Sequence, residues 1–296
     1  MAKLVEIICD GGGGFGYGHI RRCKTLAEAL NKKGYRVKLR IPSKETVNNY
    51  AYDVDSEAPV LTLIDMPYEM DYFVLEAKKK GTRCIALDYF GDANPNLTVS
   101  IFEHKKGLPA GDRVSGFKYA IIRPTISIQR AETGMGAVII MIGGSDIHDV
   151  GVNVAVKVSS FSANINLIKG PINISDYRVT NGAIKILKDP QDLEKIMASS
   201  DWGVTNGGGS MMEMMSLGKA IYVIPQTQEE NNLARYLLHQ GAILGIGIES
   251  IKLPSREEID FVGGKAKLLI DGCGVERIVG HVMEEIEKFQ CSQPLN

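Results

Sequence analysis

Short runs rich in valine, isoleucine and leucine alternate with amphipathic stretches along almost the whole chain. This alternation limits the fold more than any other feature. Strands are expected at Leu4–Cys9, Arg36–Arg40, Val60–Ile64, Arg83–Leu87 and Val99–Phe102. Helical patterns lie between them, at Ile20–Lys33 with Leu26 and Leu30 four apart, and at Met70–Lys80. Gly34 and Gly81 follow these two helices, and glycine just past a last turn is a common stop because it accepts positive φ. Continuous apolar strands separated by helices imply a parallel sheet covered on both faces. The pattern weakens over PTISIQRAETGMG, residues 124–136, where proline, glycine and polar residues cluster, and an interdomain linker is expected there. It then restarts. Strands are read at Ala137–Ile142, Ile165–Ile168, Ile184–Leu187, Trp202–Thr205 and Ala220–Ile224. Helices are read at Pro190–Ser199, Met211–Leu217, Asn231–Gln240 and Gly274–Phe289. The expected architecture is α/β, with two doubly wound domains over residues 1–130 and 131–296. The last helix has the option of packing back on the first domain. The halves share no obvious sequence repeat.

Composition excludes several classes. The 296 residues carry a formal net charge of -1, which gives no general drive toward nucleic acid or an anionic membrane. No apolar run approaches the roughly 20 residues of a transmembrane helix. The five cysteines, Cys9, Cys23, Cys84, Cys273 and Cys291, form no CxxC pair. With no signal peptide apparent, a reducing cytoplasm is the expected compartment. The five histidines are far apart and none lies in an HxxxH or HExxH spacing, so no metal site is expected.

In open α/β sheets ligands bind beyond the carboxyl ends of the strands. Three glycine-rich loops follow strands here: Gly11–Gly18, Gly143–Gly144 and Gly207–Gly209. In the third, Asn206-Gly207-Gly208-Gly209-Ser210 joins a strand to a helix, and free N–H groups at a helix start suit a phosphate. Ser210 serves there either as N-cap or as a phosphate donor. Glu213, three residues on, completes a Ser-x-x-Glu capping box or accepts the hydroxyls of a ribose diol. Met211, Met212, Met214 and Met215 read as core. The second loop, Gly143-Gly144-Ser145-Asp146, suits phosphate oxygens or a nucleoside edge; a tight turn in which Ser145 or Asp146 caps the next helix explains it nearly as well. The first loop places Gly11, Gly13 and Gly16 in a GxGxxG register, but no acid ends the second strand, which runs Val37-Lys38-Leu39-Arg40. What distinguishes it is Gly18-His19 just before Arg21-Arg22. A histidine at a positive helix end favours the neutral imidazole that a general base needs; the alternative is a capping or surface histidine.

GFGYGHIRRC, from Gly14 to Cys23, followed by TLAEAL, resembles the N-terminal GxGHxxRC signature of the nucleotide-sugar hydrolases of pseudaminic acid biosynthesis. These are the UDP-2,4-diacetamido-2,4,6-trideoxy-altropyranose hydrolases, with relatives in spore-coat polysaccharide synthesis. Leu63-Ile64-Asp65 with Tyr68 resembles the family's D-x-Y strand end. Gly116–Pro124 resembles its G-x-x-Y-A-L-L-R stretch, Ile142–Asp146 its GGxD loop, and Asn206–Ser210 with Glu213 its small-residue loop and following glutamate. The motifs span most of the chain in the expected order. Three places depart from the pattern: Asp65-Met66-Pro67-Tyr68, where the tyrosine is displaced by one residue, Leu87-Asp88-Tyr89, and Pro225–Asn232, where Asn231 stands for the family's Asn-Gln pair.

The resemblance implies a GT-B-type fold of two Rossmann-like domains facing a cleft, similar to the UDP-GlcNAc transferase of peptidoglycan synthesis. It implies metal-independent hydrolysis of a UDP-sugar, with no cofactor. His19 and Tyr68 would be catalytic. Gly16, Gly18, Arg22, Gly143, Gly144, Asp146, Asn206, Gly208, Gly209, Ser210, Glu213 and Asn231 would bind substrate. UDP would sit in the C-terminal domain, with Glu213 on the ribose. A glycosyltransferase using a hydroxyl acceptor and a non-catalytic nucleotide-sugar binder are the competing expectations.

Overall fold

The computed structural model describes residues 2–11, 17–42, 57–101, 112–131, 136–143, 146, 149–170, 173, 179 and 181–291. The chain forms two compact units, one of Met1–Ile121 with Gly272–Asn296 and one of Ile122–Asp271.

The first unit is built on β1 (Leu4–Cys9), α1 (Gly18–Lys32), β2 (Arg36–Arg40), β3 (Leu61–Asp65), α2 (Asp71–Lys79), β4 (Arg83–Leu87), β5 (Leu97–Ser100) and β6 (Asp112–Ser115). Its six strands lie in the order β2-β1-β3-β4-β5-β6, with every described pair parallel. The pattern of burial explains the pattern of sequence. β1 and β3 are central and buried at every position, so they read as largely apolar runs, broken by Glu6 in β1 and by Thr62 and Asp65 in β3. β2 and β6 are edges and carry charge, Arg-Val-Lys-Leu-Arg and Asp-Arg-Val-Ser, which discourages pairing with another chain. One face of α1 buries Ile20, Cys23, Leu26 and Leu30 against the sheet.

The second unit contains α3 (Pro124–Ser127), β7 (Ala137–Met141), α4 (Val150–Val158), β8 (Asn164–Lys169), β9 (Ile184–Lys188), α5 (Leu193–Ser199), β10 (Trp202–Thr205), α6 (Gly209–Ser216), β11 (Ala220–Val223), α7 (Gln228–His239), β12 (Gly245–Ile246) and α8 (Arg256–Leu269). Its six strands, again parallel, lie in the order β12-β11-β10-β7-β8-β9. The four methionines of α6 are all buried.

The last helix, α9 (Gly274–Cys291), belongs to the first unit rather than the second. Val275, Ile278, Val279, Val282 and Ile286 join α1 and the strands in one core. Gly274 permits this docking, because a Cβ there would lie 2.1 Å from the carbonyl oxygen of Ala120. The chain therefore crosses between units at Ile121/Ile122 and returns at Asp271/Gly272, not once near residue 130. The stretch after Ile121 looks like a linker in composition. Arg123 nonetheless pairs with Glu213 and Glu194, and Ile126 is fully buried, which ties it to the second unit.

Among the described elements, β6, β12, α3, α4 and α8 are not apparent from the sequence pattern. β6 is a charged edge and β12 only two residues long. α4, Val-Gly-Val-Asn-Val-Ala-Val-Lys-Val, alternates like a strand. α8 contains Gly263-Gly264, which lowers helical propensity but lets Gly263 approach the backbone of Gly218.

Candidate functional site

Strand order locates the candidate residues within each unit. In the first, β2 lies on one side of β1 and β3 on the other, so the order reverses between β1 and β3. Beyond the carboxyl ends of such a pair a crevice opens that loops can line. Asp10 follows β1, Asp65 ends β3 and His19 stands in the first turn of α1. All three thus gather at the switch point.

Their contacts form two groups. In one, Nδ1 of His19 lies 2.8 Å from Oδ1 of Asp65. The guanidinium of Arg22 donates from Nε and Nη2 to the two oxygens of Asp65. At its other end Nη1 donates to Oδ2 of Asp88 at 2.9 Å. Asp88, just past β4, has φ 49 and uses Oδ1 to accept from the Ser100 hydroxyl at 3.0 Å and the Ile101 amide at 3.1 Å. The Cys23 thiol donates to Oδ2 of Asp65 at 3.4 Å. Asp65 is fully buried. Burial alone would raise its carboxyl, but the charge of Arg22 and the contact with His19 outweigh it and hold Asp65 well below the usual carboxylate range. Burial likewise disfavours charged Arg22, and Asp65 and Asp88 more than compensate. An ionised carboxylate only accepts, so in a neutral ring the contact with Asp65 favours the proton on Nδ1 and the lone pair on Nε2, while Nη2 of Arg22 lies 3.2 Å from the same Nδ1. The His19 side chain is 27% exposed, so the ring is partly open to solvent.

In the second group the Tyr68 hydroxyl donates to Oδ2 of Asp10 at 2.7 Å, while Oδ1 accepts from the Gly11 amide at 2.8 Å. Burial and then this bond to Asp10 push the Tyr68 phenol well up. Tyr68 is 40% exposed, so the one-residue displacement in the sequence still leaves its ring accessible. Gly18 is exposed, with open space where a Cβ would be. Gly16 lies outside the described residues. Arg40 is engaged elsewhere, donating to Glu76 at 2.8 Å.

In the second unit the order reverses between β7 and β10, and both remaining glycine-rich loops leave from those strands. A Cβ on Gly143 would lie 3.5 Å from Nδ2 of Asn206, and one on Gly208 3.1 Å from it. The two loops therefore meet at Asn206. Its amide donates to Oε1 of Glu230 at 2.7 Å, and Glu230 also accepts from the Gln226 amide at 2.7 Å. Asn231 follows Glu230 in the first turn of α7. Gly144 lies outside the described residues.

Ser210 and Glu213 form no capping box. The N-cap of α6 is Gly208, with no side-chain cap bond, and the Ser-x-x-Glu box of this unit is Ser255 with Glu258 at the start of α8. Glu213 faces Arg123 instead. Nε and Nη2 of Arg123 donate to its two oxygens, the second at 2.9 Å, while Nη1 reaches Glu194 at 3.2 Å. Each carboxylate oxygen keeps a further acceptor position. Asp146 has the structural part that the sequence left open. Its oxygens accept from the amides of Val150 and Gly151, both at 2.9 Å, and so hold the start of α4.

The sequence reading did not include Asp10, Asp65, Asp88, Arg123 or Glu230 among its site residues. The three aspartates carry a usable signal, since each stands at or just past the carboxyl end of an apolar strand. Arg123 stands at the arginine of the Gly116–Pro124 stretch, but its pairing with Glu194 and Glu213, 71 and 90 residues away, has no local signal, and neither has the contact of Glu230 with Asn206. Among the described residues no group of three or more histidine, cysteine, aspartate or glutamate side chains is arranged to hold a metal ion. No helix among them is long and apolar enough to cross a membrane.

No known family model matches the chain. The spore coat polysaccharide biosynthesis protein SpsG of Bacillus subtilis (strain 168) is 20% identical over 289 residues, covering 82% of this chain and 84% of SpsG. Among solved structures, MurG of Acinetobacter baumannii aligns with a TM-score of 0.69 at 13% identity, over 95% of this chain and 99% of that one. MnaA of S. aureus, solved with UDP, aligns with a TM-score of 0.66 at 11% identity, over 96% and 97%. The glycotransferase of kitacinnamycin aligns with a TM-score of 0.63 at 11% identity, over 97% and 100%. The two six-stranded parallel sheets and these alignments show a GT-B-like fold, and over most of its length the chain is distantly similar in sequence to SpsG.

Proposed function

We propose that the protein hydrolyses a UDP-activated amino or deoxy sugar, releasing UDP and free sugar for a surface polysaccharide or a nonulosonic acid. The observation that carries this reading is the His19–Asp65 pair at the switch point of the first unit, within the GxGHxxRC-like motif. Nε2 of His19 takes a proton from water as the water oxygen bonds to the anomeric carbon. The bond from that carbon to the diphosphate oxygen breaks, and its electron pair leaves with UDP. Such a single displacement inverts the anomeric centre. In this reading Tyr68, whose hydroxyl donates to Asp10, accepts a hydrogen bond from the sugar or the water. The second unit takes the nucleotide, with the Gly208–Ser210 helix start on the diphosphate and Glu213 on the ribose. Gly143, Asn206 and Asn231 complete that surface. The name of SpsG and the UDP complex of MnaA support the substrate class.

The test is UDP release from a panel of UDP-2,4-diacetamido-sugars and UDP-GlcNAc, in EDTA and without an acceptor. Release with free sugar from one donor establishes the reaction, and His19→Ala should then abolish turnover while leaving UDP affinity nearly intact. Turnover surviving in His19→Ala removes His19 as the base. A transferase reading is favoured by the shared fold of the kitacinnamycin glycotransferase. It requires that UDP release depend on an added hydroxyl acceptor.

A further inference from the structure

We propose that Asp65 is a positioning residue for His19, and that Arg22, held at its far end by Asp88, fixes Asp65 so that Nε2 of His19 faces the substrate. The inference rests on His19 being the base. Three observations carry it. Asp65 is fully buried at the last position of a central strand, so its carboxylate has no freedom to follow solvent. Arg22 is on the same helix as His19, three residues on, and grips both oxygens of Asp65. Asp88 is itself anchored by the Ser100 hydroxyl and the Ile101 amide, so the strut ends on the backbone of the sheet. The line Asp88–Arg22–Asp65–His19 therefore crosses from the end of β4 to α1 without a mobile link.

This arrangement changes the part expected of Arg22. Both ends of its guanidinium are occupied by aspartates, and it acts on the reaction through them rather than as a diphosphate ligand. Other charged and titratable groups nearby are Cys23, whose thiol also bonds Asp65, and Asp10 with Tyr68 beyond β1, the strand paired with β3. Two carboxylates against one guanidinium leave the line one negative charge in excess. An imidazolium formed when His19 takes a proton is thus neutralised without rearrangement. The proton on Nδ1 stays between His19 and Asp65 throughout, and the proton from water goes to Nε2.

The experiment is nitrogen-15 NMR of histidine side chains in the full-length protein, with the His19 signals assigned by their loss in His19→Gln. The wild type is expected to show His19 as the Nδ1–H tautomer, with Nε2 unprotonated. In Asp65→Asn the carboxamide offers a donor as well as an acceptor, and the Nε2–H tautomer should appear. On whichever donor the wild type hydrolyses, Asp65→Asn should lower kcat by on the order of 10²- to 10⁴-fold and change KM by less than about threefold. Should Asp65→Asn fail to fold, Asp88→Asn frees the far end of Arg22. It should lower kcat by roughly tenfold at near-constant KM and UDP affinity. A wild-type Nε2–H tautomer, or an unchanged tautomer in folded Asp65→Asn, overturns the assignment. So does an unchanged kcat in Asp88→Asn, as far as the strut is concerned. The tautomer is read without substrate, so it decides the positioning even if every UDP-sugar in the panel is refused and the hydrolase reading falls.

Discussion

Replacing Gly274 and Gly280 by alanine, one at a time, should move stability in opposite directions although both lie in α9. At Gly274 the new methyl would meet the Ala120 carbonyl oxygen at 2.1 Å, and the carbonyl carbons of Tyr119 and Ala120 at 2.7 and 2.8 Å. All are backbone atoms and none can turn aside, so the start of the helix must retreat by about 1 Å to restore an ordinary contact. That retreat loosens Val275 and Ile278, which are almost fully buried. Overpacking of this kind costs about 1–3 kcal/mol, against at most about 1 kcal/mol gained from the better helix propensity of alanine. Gly280 has nothing within 4 Å of the added methyl. There the propensity gain stands alone, and alanine should stabilise by about 0.4–1 kcal/mol. Urea denaturation of the full-length protein, followed by far-ultraviolet circular dichroism, measures both. With a slope of about 2 kcal/mol per molar, Gly274→Ala should lower the midpoint by about 0.5–1 M and Gly280→Ala raise it by a few tenths. If Gly274→Ala is as stable as the wild type, or moves the same way as Gly280→Ala, α9 does not dock on the first unit through that glycine.

Glu285 is almost fully buried on the same helix and accepts from Arg83 and Lys288, which outweigh burial and hold its carboxyl below the usual range. Glu285→Gln should destabilise by about 1–3 kcal/mol in the same urea assay, and an unchanged midpoint would rule the pair out as a tie. For Asp65 the folded carboxyl titrates below the unfolded one, so its contribution is present above about pH 4 and is lost as pH falls. The stability gap between wild type and Asp65→Asn should therefore shrink on acidification below about pH 4, and a gap that widens there refutes the assignment of a buried ionised aspartate. Cys9, Cys23 and Cys84 are buried, with burial pushing the Cys84 thiol up to about 12, whereas Cys273 and Cys291 are exposed. Thiol titration of the native protein should count two fast-reacting groups and the remaining three only after denaturation, and three or more fast groups would contradict the described core.

The sequence made the central strands legible and the edges obscure, for one physical reason. A strand buried on both faces is mostly apolar, as in Ala-Val-Ile-Ile-Met and, apart from Glu6, Leu-Val-Glu-Ile-Ile-Cys, and such runs stand out in any reading. An edge such as Asp112–Ser115 has half its surface wet and reads as loop. Helices follow the same logic. Gly18–Lys32 shows its buried stripe at Ile20, Cys23, Leu26 and Leu30, but Val150–Val158 is β-branched at every second residue and becomes a helix through packing and the Asp146 cap. The boundary between the units was hidden because it depends on Arg123, whose carboxylate partners are 71 and 90 residues away.

The candidate site follows from topology more than from motif. In each unit the chain lays its first strand down and then builds outward on both sides, and the reversal leaves a pair of strands whose following loops diverge. In the first unit that pair is β1 and β3, and in the second β7 and β10. The glycine-rich loops and the candidate site residues stand at or just past the ends of these same strands: Asp10 and Asp65 in one unit, Gly143 and Asn206 in the other. A motif search sees glycines and a histidine. Only the strand order says that Asp65 must stand beside the helix beginning at Gly18, because β1, the strand preceding that helix, pairs with β3 so that Cys9 is opposite Asp65. An aspartate placed by a sheet register next to a histidine placed by a helix start requires no conserved spacing between them. That is why the 46 residues separating His19 from Asp65 carry no local signal of their contact.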